Sequence, residues 1–134
     1  MLFKRFLATD QAGLPQVSRQ GLGIPANISI TTVSADANAT LTVAQMAGGC
    51  IQYTGFTAGR TLTTPTAALI LAACPDMDIG DSFTFAVSCV AAFAGTWAAG
   101  TGVTLAGRAT TPASSYSLIV VTKTSSSAVT WTVL

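Results

Sequence analysis

The sequence predicts a mainly β protein, either an antiparallel β-sandwich or a small, jelly-roll-like barrel, with one short helix and an extended N-terminal arm. Short alternations of apolar and polar residues recur at a spacing of roughly 8–12 residues, as in sandwiches and barrels. Turns rich in Gly, Ser and Thr separate them. Long amphipathic helices do not alternate with strands, which argues against a parallel α/β fold.

The length of 134 residues fits one domain. Residues 1–26 follow neither the helical nor the strand period and are punctuated by Gly and Pro, so we expect an extended arm there. Residues 27–134 form the predicted β-domain. Its strand patterns begin at 28–32 and resume at Leu41 and Val43. The later strands are predicted at 50–53, 82–87, 96–98, 103–105, 116–122 and 128–134.

The single predicted helix covers residues 65–73. Thr64 is a suitable N-cap, Pro65 fits the first helical position, and the following run is rich in Ala and Leu. Pro75 ends the pattern, because the residue before a proline avoids the helical region. A fully buried strand is the alternative for this run.

The hydrophobic core is predicted from the strand alternations. One face of the strand at 82–87 presents only apolar side chains, and we expect it to pack against the last two strands. The residues predicted to be buried together are Phe83, Phe85, Val87, Leu118, Val120 and Trp131.

The composition excludes several classes of chemistry. The chain has no His and no Glu, so Ser–His or Cys–His nucleophiles and His-based metal sites are excluded. A net charge of +1 gives no long-range attraction to nucleic acid or to an acidic membrane. We therefore expect no enzymatic activity, no cofactor and no small-molecule substrate.

The surface is predicted to be poor in charge. Charged residues make up 8% of the chain, against about 25% in typical domains, and 50% of the residues are hydrophobic. Charges normally keep exposed surfaces soluble and discourage association. The sequence therefore favours a protein that works inside an assembly, with a stable β-domain coated by Thr and Ser as the alternative.

No export or membrane segment is expected. Two basic residues near the start lack the apolar stretch of about 7–15 residues that a secretory signal needs. The longest apolar run, 67–74, is far shorter than the ~20 residues that span a bilayer. Cys50, Cys74 and Cys89 fit no C-x-x-C pattern and are predicted to be buried free thiols, with one disulfide and one leftover thiol as the alternative.

Two further groups of residues could bear a site. Asp76, Asp78 and Asp81 could supply oxygen ligands to calcium, but the calcium-loop spacing is absent and a turn is favoured, so no metal is expected. Trp97 and Trp131 lie on predicted strands and could form a platform for a sugar or a base. Filling the core or an interface is the commoner role for such residues.

Three segments resemble small virion proteins of tailed bacteriophages. They are the run 59–68 (GRTLTTPTAA), the strand start 79–85 (IGDSFTF) and the turn 98–105 (AAGTGVTL). The resemblance extends over roughly residues 40–134 and departs at Thr64, where the phage pattern has Leu. It implies a capsid decoration, or cement, protein, commonly a trimer on the capsid lattice. A head-fibre base built on the same module is equally consistent with it.

The expected function is therefore structural. The chain would bind the major capsid protein as a homotrimer on the virion surface, after synthesis in the host cytoplasm, without contacting nucleic acid or membrane. The basic residues Lys4, Arg5 and Arg19 of the arm are the expected capsid anchors. The alternative is a head-fibre base or an adhesion module that binds carbohydrate on the host surface.

Overall fold

The computed structural model describes residues 28–134, and the predicted arm lies outside the described residues. Two short helices and ten strands make up the described part of the chain. The helices are α1 (Val43–Ala47) and α2 (Ala67–Ala73). The strands are β1 (Ser29–Val33), β2 (Ala39–Thr40), β3 (Gly49–Tyr53), β4 (Arg60–Thr63), β5 (Ser82–Cys89), β6 (Gly95–Ala98), β7 (Val103–Gly107), β8 (Thr110–Thr111), β9 (Ser115–Lys123) and β10 (Val129–Val133).

The strands form two sheets that enclose one core. The large sheet has the order β1-β3-β5-β9-β10-β7, and the small sheet has the order β2-β4-β6-β8. The prediction of a mainly β, sandwich-like protein is confirmed. The sheets are mixed rather than wholly antiparallel, since β1, β3 and β5 run parallel in one sheet and β2, β4 and β6 run parallel in the other.

The parallel pairs arise because the chain alternates between the sheets. It passes from β1 to β2 and α1, then from β3 to β4 and α2, and then from β5 to β6. Parallel neighbours need a long crossover connection. Here a strand of the opposite sheet, with a short helix in two of the turns, supplies that connection. The chain therefore coils, and the second half closes the coil with antiparallel pairs between β5, β9 and β10.

The core lies between the sheets and is centred on aromatic side chains. Trp97 of the small sheet meets Trp131 of the large sheet at a ring-centroid distance of 5.4 Å. Phe85 packs edge-on against Trp131 at 5.3 Å. Phe85, Val87 and Trp131 are buried as predicted, whereas Phe83 is only half-buried at the edge of this cluster.

The predicted face of β9 is wrong by one residue. Leu118 is 41% exposed and Val120 is half-buried, whereas Ile119 and Val121 are fully buried. The four consecutive apolar residues of this strand give no alternation from which its inner face could be read. The pairing with β5 decides it, because Phe85 lies opposite Ile119 and therefore shares its face.

The helices also differ from the prediction. The segment after β2, predicted as a strand, forms α1, because Thr42 and Gln45 make a reciprocal capping box at its start. Helix α2 begins two residues later than predicted, with Thr66 as its N-cap and the hydroxyl of Thr66 accepting from the amide of Leu69. Thr64, the predicted cap, is buried instead.

Candidate functional site

Charged side chains in the described part of the chain lie only in loops or at strand ends. Asp36 lies between β1 and β2, and Arg108 lies between β7 and β8. Arg60 and Lys123 occupy the first position of β4 and the last position of β9. The remaining charges are the aspartates between α2 and β5. The outer faces of both sheets therefore offer neutral groups for contact.

Asp36 links the loop between β1 and β2 to the loop between β3 and β4. The Thr57 hydroxyl donates to the Asp36 carboxylate, and the Thr57 amide donates at 3.0 Å. Arg60 adds a charged hydrogen bond from Nε at 2.9 Å and an ion pair at 2.8 Å. The bonds from Thr57, followed by those from Arg60, lower the pKa of Asp36 to about 2. Both carboxylate oxygens accept hydrogen bonds from within the chain, so Asp36 has a structural role.

The aspartates before β5 form a turn, as predicted. The Asp81 carboxylate accepts from the Asp78 amide at 2.9 Å, and the Asp81 amide donates to the Asp78 carbonyl at 3.0 Å. The Lys123 ammonium donates to the Met77 carbonyl at 2.7 Å. This ammonium therefore occupies a backbone oxygen of the turn. Among residues 28–134 no group of three potential ligands is arranged around a common point.

We therefore expect a chelator to leave the melting temperature of the protein unchanged. Calcium takes about 6–8 oxygen ligands, whereas this turn uses the Asp81 carboxylate for its own backbone. The measurement is a pair of melting curves of the full-length chain, with and without a strong chelator. A drop of several degrees that added calcium restores would instead make Asp76, Asp78 and Asp81 a metal site between subunits.

The cysteines are free thiols, as predicted, but only Cys89 is fully buried. Cys50 and Cys74 are half-buried. Desolvation raises the pKa of both Cys74 and Cys89, which keeps these thiols protonated at neutral pH. A protonated thiol is a poor nucleophile and a poor metal ligand.

The two tryptophans do not form a binding platform, so that interpretation is wrong. Trp97 is 5% exposed and Trp131 is fully buried in the core. The indole of Trp97 donates to the Thr111 hydroxyl at 3.1 Å, within the small sheet. Neither ring can stack on a sugar or a base from solution. The commoner interpretation, that they fill the core, is the correct one.

A shallow groove of about 630 Å³ lies where the parallel strands β2, β4 and β6 end. The carboxyl ends of these strands meet at one edge of the small sheet, and both helices start there. Its walls carry hydroxyl and apolar groups and no ionisable side chain, and the main contributors are Leu41, Thr42, Val43, Thr64, Thr66 and Leu69. Such walls can make hydrogen bonds and apolar contacts to a neutral segment, but they offer no acid–base chemistry.

Two of the segments that carry the phage resemblance meet at this groove. The Gly100 amide donates to the Thr64 hydroxyl at 2.9 Å, and the Ala67 amide donates to the Thr101 carbonyl at 2.9 Å. A Cβ at Gly100 would lie 2.7 Å from the carbonyl oxygens of both Thr64 and Pro65, so only glycine fits. The two segments are therefore parts of one packing unit. The groove could not be predicted from the sequence, because it depends on contacts between residues far apart in the chain.

The residues predicted to anchor the chain, Lys4, Arg5 and Arg19, lie outside the described residues. Within residues 28–134 no helix is long and apolar enough to cross a bilayer. Comparisons of the chain with protein-family models, with curated proteins and with solved structures found no match.

Proposed function

We propose that the chain is a structural virion protein of a tailed bacteriophage, which decorates the outer surface of the major capsid protein lattice and stabilises the head. In this proposal it acts as a homotrimer and has no catalytic activity. Weak contacts from several copies add up, since tethering raises the effective concentration and can increase binding by roughly 10²–10⁴.

The observation that carries the proposal is the backbone pairing of two resembling segments, in which the Ala67 amide donates to the Thr101 carbonyl at 2.9 Å and the Thr64 amide donates to the Ala98 carbonyl at 3.0 Å. The resembling segments 59–68 and 98–105 are separate in sequence but hydrogen-bonded to each other in the fold. A chance likeness of short Thr- and Ala-rich runs would have no reason to fall on one packing unit. The neutral faces of the β-domain add support, because a shell protein needs broad contact surfaces.

The arm supplies the proposed attachment. Residues 1–26 carry Lys4, Arg5 and Arg19, which are half of the six basic residues of the chain. Fully extended, an arm of this length reaches up to about 90 Å. It could therefore lie along a neighbouring capsid subunit while the β-domain stands above the lattice. The partner in this proposal is the capsid protein itself rather than nucleic acid or lipid.

A head-fibre base or adhesion module is the second candidate. The buried tryptophans remove the sugar platform proposed from the sequence. One aromatic ring on the large sheet, that of Tyr116, is nevertheless 68% exposed. An exposed aromatic ring can stack on the apolar face of a sugar.

Two binding assays separate these functions. The purified full-length chain is mixed with heads that lack it, and in parallel with host cells without heads, and the bound fraction is measured after sedimentation. A decoration protein saturates the heads at a fixed number of copies and ignores the cells. Binding to cells, with a loss on Tyr116→Ala but not on the distant variant Thr96→Ala, would instead support adhesion.

A further inference from the structure

The outer face of the large sheet carries a continuous apolar row. The residues are in register on neighbouring strands: Ile30 lies opposite Cys50, Cys50 opposite Ala86, and Ala86 opposite Leu118. The row continues to Leu134, whose amide donates to the Leu118 carbonyl at 3.0 Å. Ile30, Leu118 and Leu134 are 61%, 41% and 53% exposed. Isolated exposed apolar side chains are normal, but a contiguous row of them marks an interaction surface.

The outer face of the small sheet shows what this protein exposes when a face is solvated. There the outward positions of β2, β4, β6 and β8 are Thr40, Thr61, Thr63, Thr96, Ala98 and Thr110. Threonine has high strand propensity and keeps a hydroxyl in water. Thr, Ser and Gln also hold most of the other outward positions of the large sheet, for example Thr32, Thr84 and Thr130, so the apolar row does not follow from strand propensity.

Among the described residues, β1 forms the edge of the large sheet beside this row, and this edge is open to pairing with another chain. Strand β1 contains no Lys, Pro or Gly, the residues that usually protect a strand edge from pairing with another chain. Ile28, the residue before it, is 64% exposed. The apolar surface thus reaches a strand edge that is open among the described residues.

We infer that the outer face of the large sheet, centred on Leu118, is the surface through which copies of this chain associate with one another. This inference deepens the proposed function and rests on the assembly of copies proposed there. It commits to a second copy of the chain as the occupant of the face.

The charge distribution favours a second copy over a different partner. Around a rotation axis that relates copies of one chain, each residue near the axis meets its own counterparts, so a charged side chain there would face its own charge. The outward positions of all six strands of this face are uncharged, whereas the charges of the described residues lie in loops and at strand ends.

The size of the face fits as well. Six strands at about 4.8 Å spacing, with lengths of five to nine residues, give a flat area on the order of 600 Å². Specific interfaces bury about 800 Å² on each partner. The lower end of the range for specific interfaces is about 1,200 Å² in total, or about 600 Å² on each partner, which this face reaches. The face is therefore large enough to hold two copies together without help from another protein.

The test is the mass of the full-length chain in solution, measured by light scattering after size exclusion. The wild-type protein should give a mass of at least twice the 13.5 kDa of one chain. Leu118→Asp places a charge in the middle of the face and should give the monomer mass. Thr96→Asp places the same charge on the outer face of the small sheet, where the side chain is also exposed, and should keep the wild-type mass.

A second variant distinguishes a loss of association from a loss of folding. If Leu118→Asp lowers the melting temperature sharply, Ile30→Asp replaces it, because this side chain is 61% exposed on an edge strand. Ile30→Asp should also give a monomer that melts near the wild-type temperature. A wild-type chain that is monomeric at all concentrations, or an oligomer that survives both charged variants, would overturn the inference.

The other occupants give distinct results, and each would overturn the inference. If the arm covers the face, the full chain is monomeric and deletion of residues 1–26 creates an oligomer. If the capsid covers it, the chain is monomeric until it meets heads, and Leu118→Asp abolishes decoration. The proposed function fails separately, when an oligomer sensitive to Leu118→Asp forms in solution but the wild-type chain does not bind heads.

Discussion

Phe85→Ala is expected to lower the free energy of unfolding by about 3–5 kcal/mol. The Phe85 side chain is 3% exposed and its ring packs edge-on against Trp131, which joins the two sheets through Trp97. Truncation would leave a cavity at the centre of the core. Because small domains have a total stability of about 5–15 kcal/mol, the loss should be plain in a urea titration at 25 °C.

The same strand provides two controls. Phe83→Ala removes a ring that is only half-buried, so it should cost clearly less than Phe85→Ala. Thr84→Ala removes an outward-facing side chain and should change stability by no more than about 0.5 kcal/mol. A cost below about 1 kcal/mol for Phe85→Ala would mean that the inner face of β5 has been assigned to the wrong side.

Deletion of residues 1–26 should abolish attachment to the capsid and leave a folded β-domain. The elements and the hydrophobic core described above are formed within residues 28–134, so the truncated chain retains what it needs to fold. The deletion removes Lys4, Arg5 and Arg19, the proposed anchors. The readouts are the far-ultraviolet circular dichroism spectrum and the number of copies bound per head.

A matched variant separates the charge of the arm from its length. The full-length chain with Lys4, Arg5 and Arg19 replaced by Gln keeps the reach of the arm, and it should bind heads more weakly and with less dependence on salt. If the truncated chain still decorates heads at full occupancy, the arm is not the anchor.

The six strands of the large sheet and β6 could be predicted from the sequence because their signal is local, whereas β2, β4 and β8 of the small sheet were missed. The alternation of Phe83 and Phe85 with polar neighbours, and that of Val129 and Trp131, identified β5 and β10 and their inner faces. Local sequence does not indicate whether two strands pair in parallel or antiparallel. Nothing in the residues of β1 or β3 predicts their parallel pairing. The alternation of the chain between the two sheets could therefore not be predicted from the sequence pattern.

The errors have specific physical causes. Apolar residues on both faces of β9 concealed its inner side, and the outer apolar residue Leu118 belongs to the row that we assign to self-association. Helix α1 was missed because a helix of five residues contains too little of the helical period, although its capping pair, Thr42 and Gln45, was present in the sequence.

The candidate site was predictable only in part. The turn role of Asp81 followed from residue type and spacing, and the structure confirms it through the bond to the Asp78 amide. The groove beside Thr64 and the apolar row through Leu118 arise from residues that are distant in sequence. No local pattern could have brought those residues together.

The proposal that the chain stabilises phage heads can be tested by the temperature at which the heads disrupt. Heads that lack the protein are heated in a calorimeter with and without a saturating amount of the full-length chain, and with the 1–26 deletion as the matched control. A protein that binds the intact lattice and not the disrupted one must raise the temperature of disruption. We predict a rise of several degrees with the full chain and none with the deletion. An unchanged disruption temperature at full occupancy of the lattice would contradict a stabilising role.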